Sequence, residues 1–275
     1  PTLTELEQAF RRVRPGKAVG LDDIPPELCH HCPASMAKWC YTIMMKAALF
    51  GQESSAHKGG QMAVAWKHRG DVRDCTSHRS LLISSHMGKT IHRALRQKYH
   101  SFYTQYLQRQ QLGGRPCMPV GIPLHISRAF LRWQKRANQP TAMIYLDLTE
   151  AFYRTLRPLA IGGEFSDHCI GLMCHRLGFE TEAMHELYAL LQEPSALDAA
   201  GAPAHVSRVF RALHRDTWFQ LGDQTDLVRT EIGSRPGDSF ADVVFGFLWA
   251  KLLRRLESTL VAHGILEQVP EVTLP

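Results

Sequence analysis

Apolar residues recur along this chain in two periods, and the alternation between them sets out most of its elements. Leu3, Leu6, Phe10 and Val13 share one helical face, Thr2 and Glu5 are spaced as a capping box, and Pro15-Gly16 supplies the stop. A second helix is predicted from Pro33 to Leu49, ending before Gly51. A Gly/Ser-rich loop leads to Met62–Trp66, a short strand-like run, and Leu81-Leu82-Ile83 follows the loop at 71–77. The pattern then predicts a long helix from Met87 to about Tyr106, with Ile91, Leu95, Phe102 and Tyr106 on or near its buried side, and another from Pro123 to Ala137. Met143 to Leu148 is a strand-length apolar run holding a single acid, Asp147. Beyond a helix at Glu182–Gln192, an Ala/Pro/Gly stretch from Pro194 to His205 reads as a surface linker. Thr217–Leu221 and Asp226–Ile232 flank Gly222-Asp223-Gln224-Thr225 as a hairpin, and the last helix is predicted from Ser239 to His263. Mixed strands and helices without regular βαβ alternation imply an α+β fold.

Composition narrows this picture. With 275 residues and 44% hydrophobic content the chain can bury a real core. No apolar run reaches the ~20 residues of a membrane-spanning helix. The opening Pro1-Thr2-Leu3 has no initiator Met and no basic-then-apolar leader, so the expectation is a piece of a longer intracellular protein, nuclear or cytoplasmic and not secreted. Seven scattered cysteines suit a reduced compartment. Cys29-His30-His31-Cys32 cannot converge on one zinc ion as four neighbours, and no second ligand pair follows at finger spacing.

Charge is distributed unevenly. Residues 1–139 carry 21 Lys/Arg against 8 Asp/Glu, a net of +13, whereas residues 140–275 carry 11 against 18, a net of −7. From Cys75 to Leu146 no acid occurs among eleven Lys/Arg and five His. A surface of one sign that long implies a polyanionic partner rather than a merely solvated face.

Two segments carry candidate chemistry. In Tyr145-Leu146-Asp147-Leu148, a carboxylate at the end of a buried strand suits a rigid ligand for a hard divalent ion, or it caps a helix starting at Thr149. In Gly233-Ser234-Arg235-Pro236-Gly237-Asp238-Ser239, two glycines allow close approach of backbone to a ligand, and Asp238 or Ser239 could cap the helix behind; an ordinary strand–turn–helix link reads the same.

The order of these segments resembles that of the reverse transcriptases of non-LTR (LINE-like) retroelements. Arg14 to Pro25 resembles the family's "GKAPGPDGI" stretch, and Trp66 to Asp71 with Cys75 and Ser77 to Leu82 resembles "KKGD…C.NYRPISL". Gly88-Lys89 before a helix fits what comes next there, and Gln110 to Arg115 is a weakened "QFGFR". Tyr145 to Phe152 resembles palm motif A, "LDLxxAF", and Gly233 to Phe245 resembles motif B, "GVRQGDPLSPLLF". The resemblance spans residues 3 to about 257.

It implies a right-hand polymerase architecture: a basic, helix-rich fingers lobe at 1–139, and at 140–275 a partial palm with a small antiparallel sheet. Asp147 would bind both of two Mg²⁺ ions, and the Leu148 carbonyl would contact one. Phe152 would pack on the sugar, Lys67 and Arg79 would grip the triphosphate, and the loop from Gly233 to Gly237 would lie against the incoming base. The implied partners are an RNA template, a DNA primer and deoxynucleoside triphosphates, with no membrane; nothing speaks to oligomeric state. The chain departs from the family at Tyr153, in place of the Asp of "AFD", and at Pro236, in place of the Gln of motif B. No Asp-Asp pair of motif C occurs before Pro275, so this stretch alone is expected not to polymerise. The alternative is a non-catalytic RNA-binding remnant that keeps the basic groove.

Overall fold

The computed structural model describes residues 1–265 except 110, 114, 116–117, 149, 164–165, 167, 169, 172–173, 176–177, 179 and 223. Gln110 and Gly114 of the "QFGFR"-like segment, Thr149 beside Asp147, and Asp223 of the expected hairpin turn therefore lie outside the described residues.

The first half packs helices around a short hairpin. Helix α1 (Leu3–Arg11) begins with the predicted capping box: Thr2 Oγ1 accepts from the Glu5 amide at 3.2 Å, and Glu5 Oε2 accepts from the Thr2 amide at 2.7 Å. Helices α2 (Pro26–His31) and α3 (Pro33–Phe50) follow, each with proline in its first turn, and α3 ends at Gly51 in the left-handed region. Strands β1 (Gly59–Trp66) and β2 (His78–Ser84) pair antiparallel. Helix α4 (His86–Tyr106) starts where Ser85 Oγ accepts from the Gly88 amide at 3.1 Å.

Helix α5 (Gly121–Arg136) forms where its pattern predicts, yet none of its residues is buried. Short α6 (Arg157–Ile161), then α7 (Thr181–Gln192), α8 (Ala196–Ala199) and α9 (Ala204–Leu213) lead to the hairpin of β3 (Thr217–Leu221) and β4 (Leu227–Thr230). Helix α10 (Ala241–Ala262) closes the fold. No helix among the described residues is long and apolar enough to cross a membrane.

The four strands form one sheet in the order β2-β1-β3-β4, with β1 and β3 parallel and the outer pairs antiparallel. The sheet is thus mixed rather than antiparallel. It also joins strands from either side of the expected boundary at 139/140. The core lies where α1, α3, α4, α9 and α10 meet, around Leu6, Phe10, Met36, Ile91, Phe210 and Phe247. Gly246 permits the close crossing of α10 and α4, because a Cβ there would lie 2.3 Å from the Tyr103 hydroxyl.

Two expectations need correction. Met143–Leu148 joins no strand, and Ile144, Tyr145 and Leu146 stand exposed. Apolar character alone supplies no ladder partner, and all four strands of the sheet are paired without this run. Pro194–His205 is not a surface linker: Ser195 Oγ accepts from the Asp198 amide at 3.2 Å to start α8, and Ala196 and Leu197 are fully buried.

Candidate nucleotide and nucleic-acid site

The Gly233 turn is held from several sides. The Gly233 amide donates to the Thr155 carbonyl at 2.8 Å, and the Ser234 amide donates to the Phe152 carbonyl at 2.7 Å. Gly233 has φ +85°, and a Cβ there would lie 3.0 Å from the Tyr153 carbonyl oxygen, so both backbone conformation and space require glycine. Gly237, at φ +98°, would place a Cβ 3.2 Å from the Leu82 carbonyl oxygen on β2.

Tyr153 donates its hydroxyl to the Ser80 carbonyl at 2.7 Å, which ties the turn at 150–153 to the strand carrying Arg79. Phe152 sets its ring 5.3 Å from that of Phe245 on α10. The structure thus brings Phe152, Gly233, Gly237 and β2 into one junction. Arg79 is exposed beside it, one residue from Ser80 and opposite Ala65 in the ladder.

Lys67 stands just past β1 with its ammonium on the Thr76 carbonyl at 2.7 Å, so it buttresses the hairpin tip. Asp147 and Leu148 are exposed in the unpaired stretch, and Asp147 makes no hydrogen bond or ion pair among the described residues. Its expected role as a helix cap is not seen either, since Glu150 to Tyr153 form a turn closed by the Tyr153 amide on the Glu150 carbonyl at 2.8 Å. Among the described residues no group of three or more His, Cys, Asp or Glu side chains is placed to hold a metal. One carboxylate and one carbonyl cannot neutralise two divalent cations, so these residues do not by themselves make a two-Mg²⁺ site.

Sequence reasoning missed the buried charge cluster beneath the turn. Asp238 does not simply cap α10; it accepts from His92 Nδ1 at 3.0 Å and pairs with Arg235 at 2.6 Å. The other ring nitrogen of His92 meets Glu53, and both side chains are almost wholly buried. Burial opposes protonation of His92, but Asp238 and Glu53 outweigh it and raise its pKa to about 9. Burial likewise opposes ionisation of Asp238, yet Arg235 and His92 hold its carboxyl well below the usual range. His214, beside Arg235 and also buried, has its pKa driven well below the ordinary value, first by desolvation and then by that guanidinium.

Arg157 completes the support from a buried position, donating to the carbonyls of Gly233 at 2.5 Å, Ile232 at 2.9 Å and His214 at 2.8 Å, and to Thr217 Oγ1 at 2.7 Å. On the far side, Arg96 binds Asp242 in a fork and the Ser239 carbonyl, while Ser239 Oγ donates to the Lys89 carbonyl at 2.9 Å. The turn is therefore a rigid, glycine-shaped backbone surface. The sequence offered one signal for this, an acid next to the second glycine; the partners Glu53, His92 and Arg157 are too distant along the chain for spacing to reveal.

Comparison with protein-family models and with curated proteins finds no match.

Proposed function

We propose that this chain is the fingers and part of the palm of a right-hand, reverse-transcriptase-like polymerase, and that the junction of Phe152, Arg79 and the Gly233–Gly237 turn faces nucleotide and template. The observation that carries this reading is the joining of three segments that are remote in sequence. The Gly233 and Ser234 amides bind the carbonyls of Thr155 and Phe152, and the Tyr153 hydroxyl binds the strand that bears Arg79. A preorganised backbone surface beside the exposed Arg79 suits an anionic ligand with a flat base. The acid-free stretch from Cys75 to Leu146, which contains Arg79, supports a polyanionic partner.

In this reading Asp147 is one carboxylate ligand of a nucleotidyl-transfer centre whose remaining acids come from residues beyond those described. Lys67 contributes charge at the hairpin tip, and the Leu148 carbonyl is a minor ligand. The RNA-binding remnant is favoured instead by the exposed Asp147, which has no ion pair among the described residues, and by Pro236, which removes a backbone donor from the turn.

Anisotropy with an RNA–DNA duplex tests the shared part of both readings. The duplex should bind, and Arg79→Ala should weaken it several-fold without altering the melting temperature, because Arg79 is exposed. Unchanged binding would remove Arg79 from the interface. The enzyme reading is separated by nucleotide addition in a protein extended to include paired aspartates: Asp147→Asn should abolish synthesis and leave duplex binding intact. Synthesis that survives the change would exclude Asp147 from the centre.

A further inference from the structure

A second concave site lies behind the Gly233 turn, between α6, α9 and the β3–β4 hairpin, with a volume of about 680 Å³. Five arginines line it: Arg157, Arg208, Arg211, Arg215 and Arg229. From the geometry we infer a binding site for a phosphate-rich anion, separate from the Phe152–Arg79 junction and independent of any polymerase reading.

The arrangement follows from α9 and the turn that ends it. Arg208 and Arg211 stand three residues apart on one face of α9, and Arg215 follows just past the C-terminal end of that helix; all three border the cavity. Arg229 approaches from β4 on the opposite wall, and Arg157 forms part of the floor.

Internal structure accounts for some of this charge. Arg211 binds the Asp198 carboxylate at 2.7 Å and the Ile161 carbonyl at 2.9 Å, so it braces α6 and α8. Asp216 takes Arg229 at 2.8 Å and lies 3.6 Å from Arg215. Among the described residues the other lining acid is Glu231, which accepts from Ser166 at 2.8 Å.

Among the described residues, what remains is a rim with more cations than carboxylates to match. Asp216 serves two guanidinium groups at once, and the Arg215 side chain is 80% exposed. Arg208, also exposed, meets only the His205 ring, at 3.2 Å, among the described residues. Cations at a helix C-terminus complement its dipole, which explains Arg211 in the last turn and not the further Arg208 and Arg215 around the same cavity. Like charges gathered around a concavity raise the potential there and favour an anion. Guanidinium forks match phosphate oxygens two at a time, whereas a lone carboxylate would engage one of them. A space of this size holds several phosphates in a row, from a free polyphosphate or from successive phosphodiesters of a nucleic-acid strand. Through Arg157, whose Nε donates to the Gly233 carbonyl at 2.5 Å, the cavity floor touches the turn of the first site.

Isothermal titration of the chain with sodium tripolyphosphate tests the site. Binding should be measurable, and Arg208→Ala/Arg215→Ala should weaken it at least about tenfold, with an unchanged melting temperature. The control Arg12→Ala/Lys38→Ala removes two exposed cations elsewhere and should change it less than about twofold. No uptake by the parent chain, or equal losses in the two double variants, would overturn the site. A parallel titration with single-stranded RNA identifies the source of the phosphates. Loss of RNA binding in the Arg208/Arg215 variant, with displacement by tripolyphosphate, points to a nucleic-acid backbone; unaltered RNA binding points to a free polyphosphate. Both results support the site.

Discussion

His92 shows how much one side chain can decide. It is held between Glu53 and Asp238 in the interior, and its pKa is raised to about 9 against an ordinary 6.5. A raised base stabilises the fold fully below about pH 6.5, and the contribution, on the order of 3 kcal/mol, is lost as pH climbs through 9. His57 and His214 are shifted the opposite way, chiefly by burial. Their neutral forms stabilise the fold above about pH 6.5, and that stability is lost as acid protonates the unfolded chain. Urea denaturation across pH should therefore give a stability maximum near pH 6.5, falling on both sides. In His92→Gln, which leaves two buried acids with less compensation, stability should drop by about 3–5 kcal/mol and the alkaline limb should flatten. An alkaline limb unchanged in that variant would show that His92 is not the titrating group. At Gly233, alanine must enter a left-handed backbone against the Tyr153 carbonyl, so Gly233→Ala should cost about 1–3 kcal/mol in the same measurement.

Elements differ sharply in how firmly they are built in. Phe210 on α9 is fully buried among Tyr99, His214 and Phe240, so Phe210→Ala should cost about 3–5 kcal/mol. Trp133 on α5 is 63% exposed, and Trp133→Ala should lie within about 0.5 kcal/mol of the parent chain. Thermal melts of the two variants check the contrast. The same contrast explains which elements were legible. Helices with a cap or a glycine stop, such as α1 with Thr2/Glu5 and α3 with Gly51, follow from local residues alone. The run Met143–Leu148 misled because its apolar content predicts burial but cannot name a neighbour. The short helix α8 was hidden in an Ala/Pro/Gly stretch that composition reads as loop, although Ser195 and Asp198 carry its cap. At the site, Phe152 and the two glycines were legible as a pattern. The cluster of Glu53, His92 and Asp238, and the Arg157 bonds to the turn, were not, because they are made by tertiary contacts between residues dozens of positions apart.

For the molecule as a whole, the acid-free stretch from Cys75 to Leu146 and the mixed sheet that joins the two parts of the chain support one account: a cationic scaffold presenting a rigid turn to a polyanion. Asp147 bears on the chemistry that scaffold can support, whereas Arg79 and Lys67 bear on whether a polyanion comes at all. The most direct measurement is anisotropy of a labelled RNA–DNA duplex with this chain at rising salt. Displacement of cations from several phosphates predicts that affinity falls at least about tenfold between 50 and 200 mM salt. Affinity that does not change with salt, or no binding at low salt, would contradict the account.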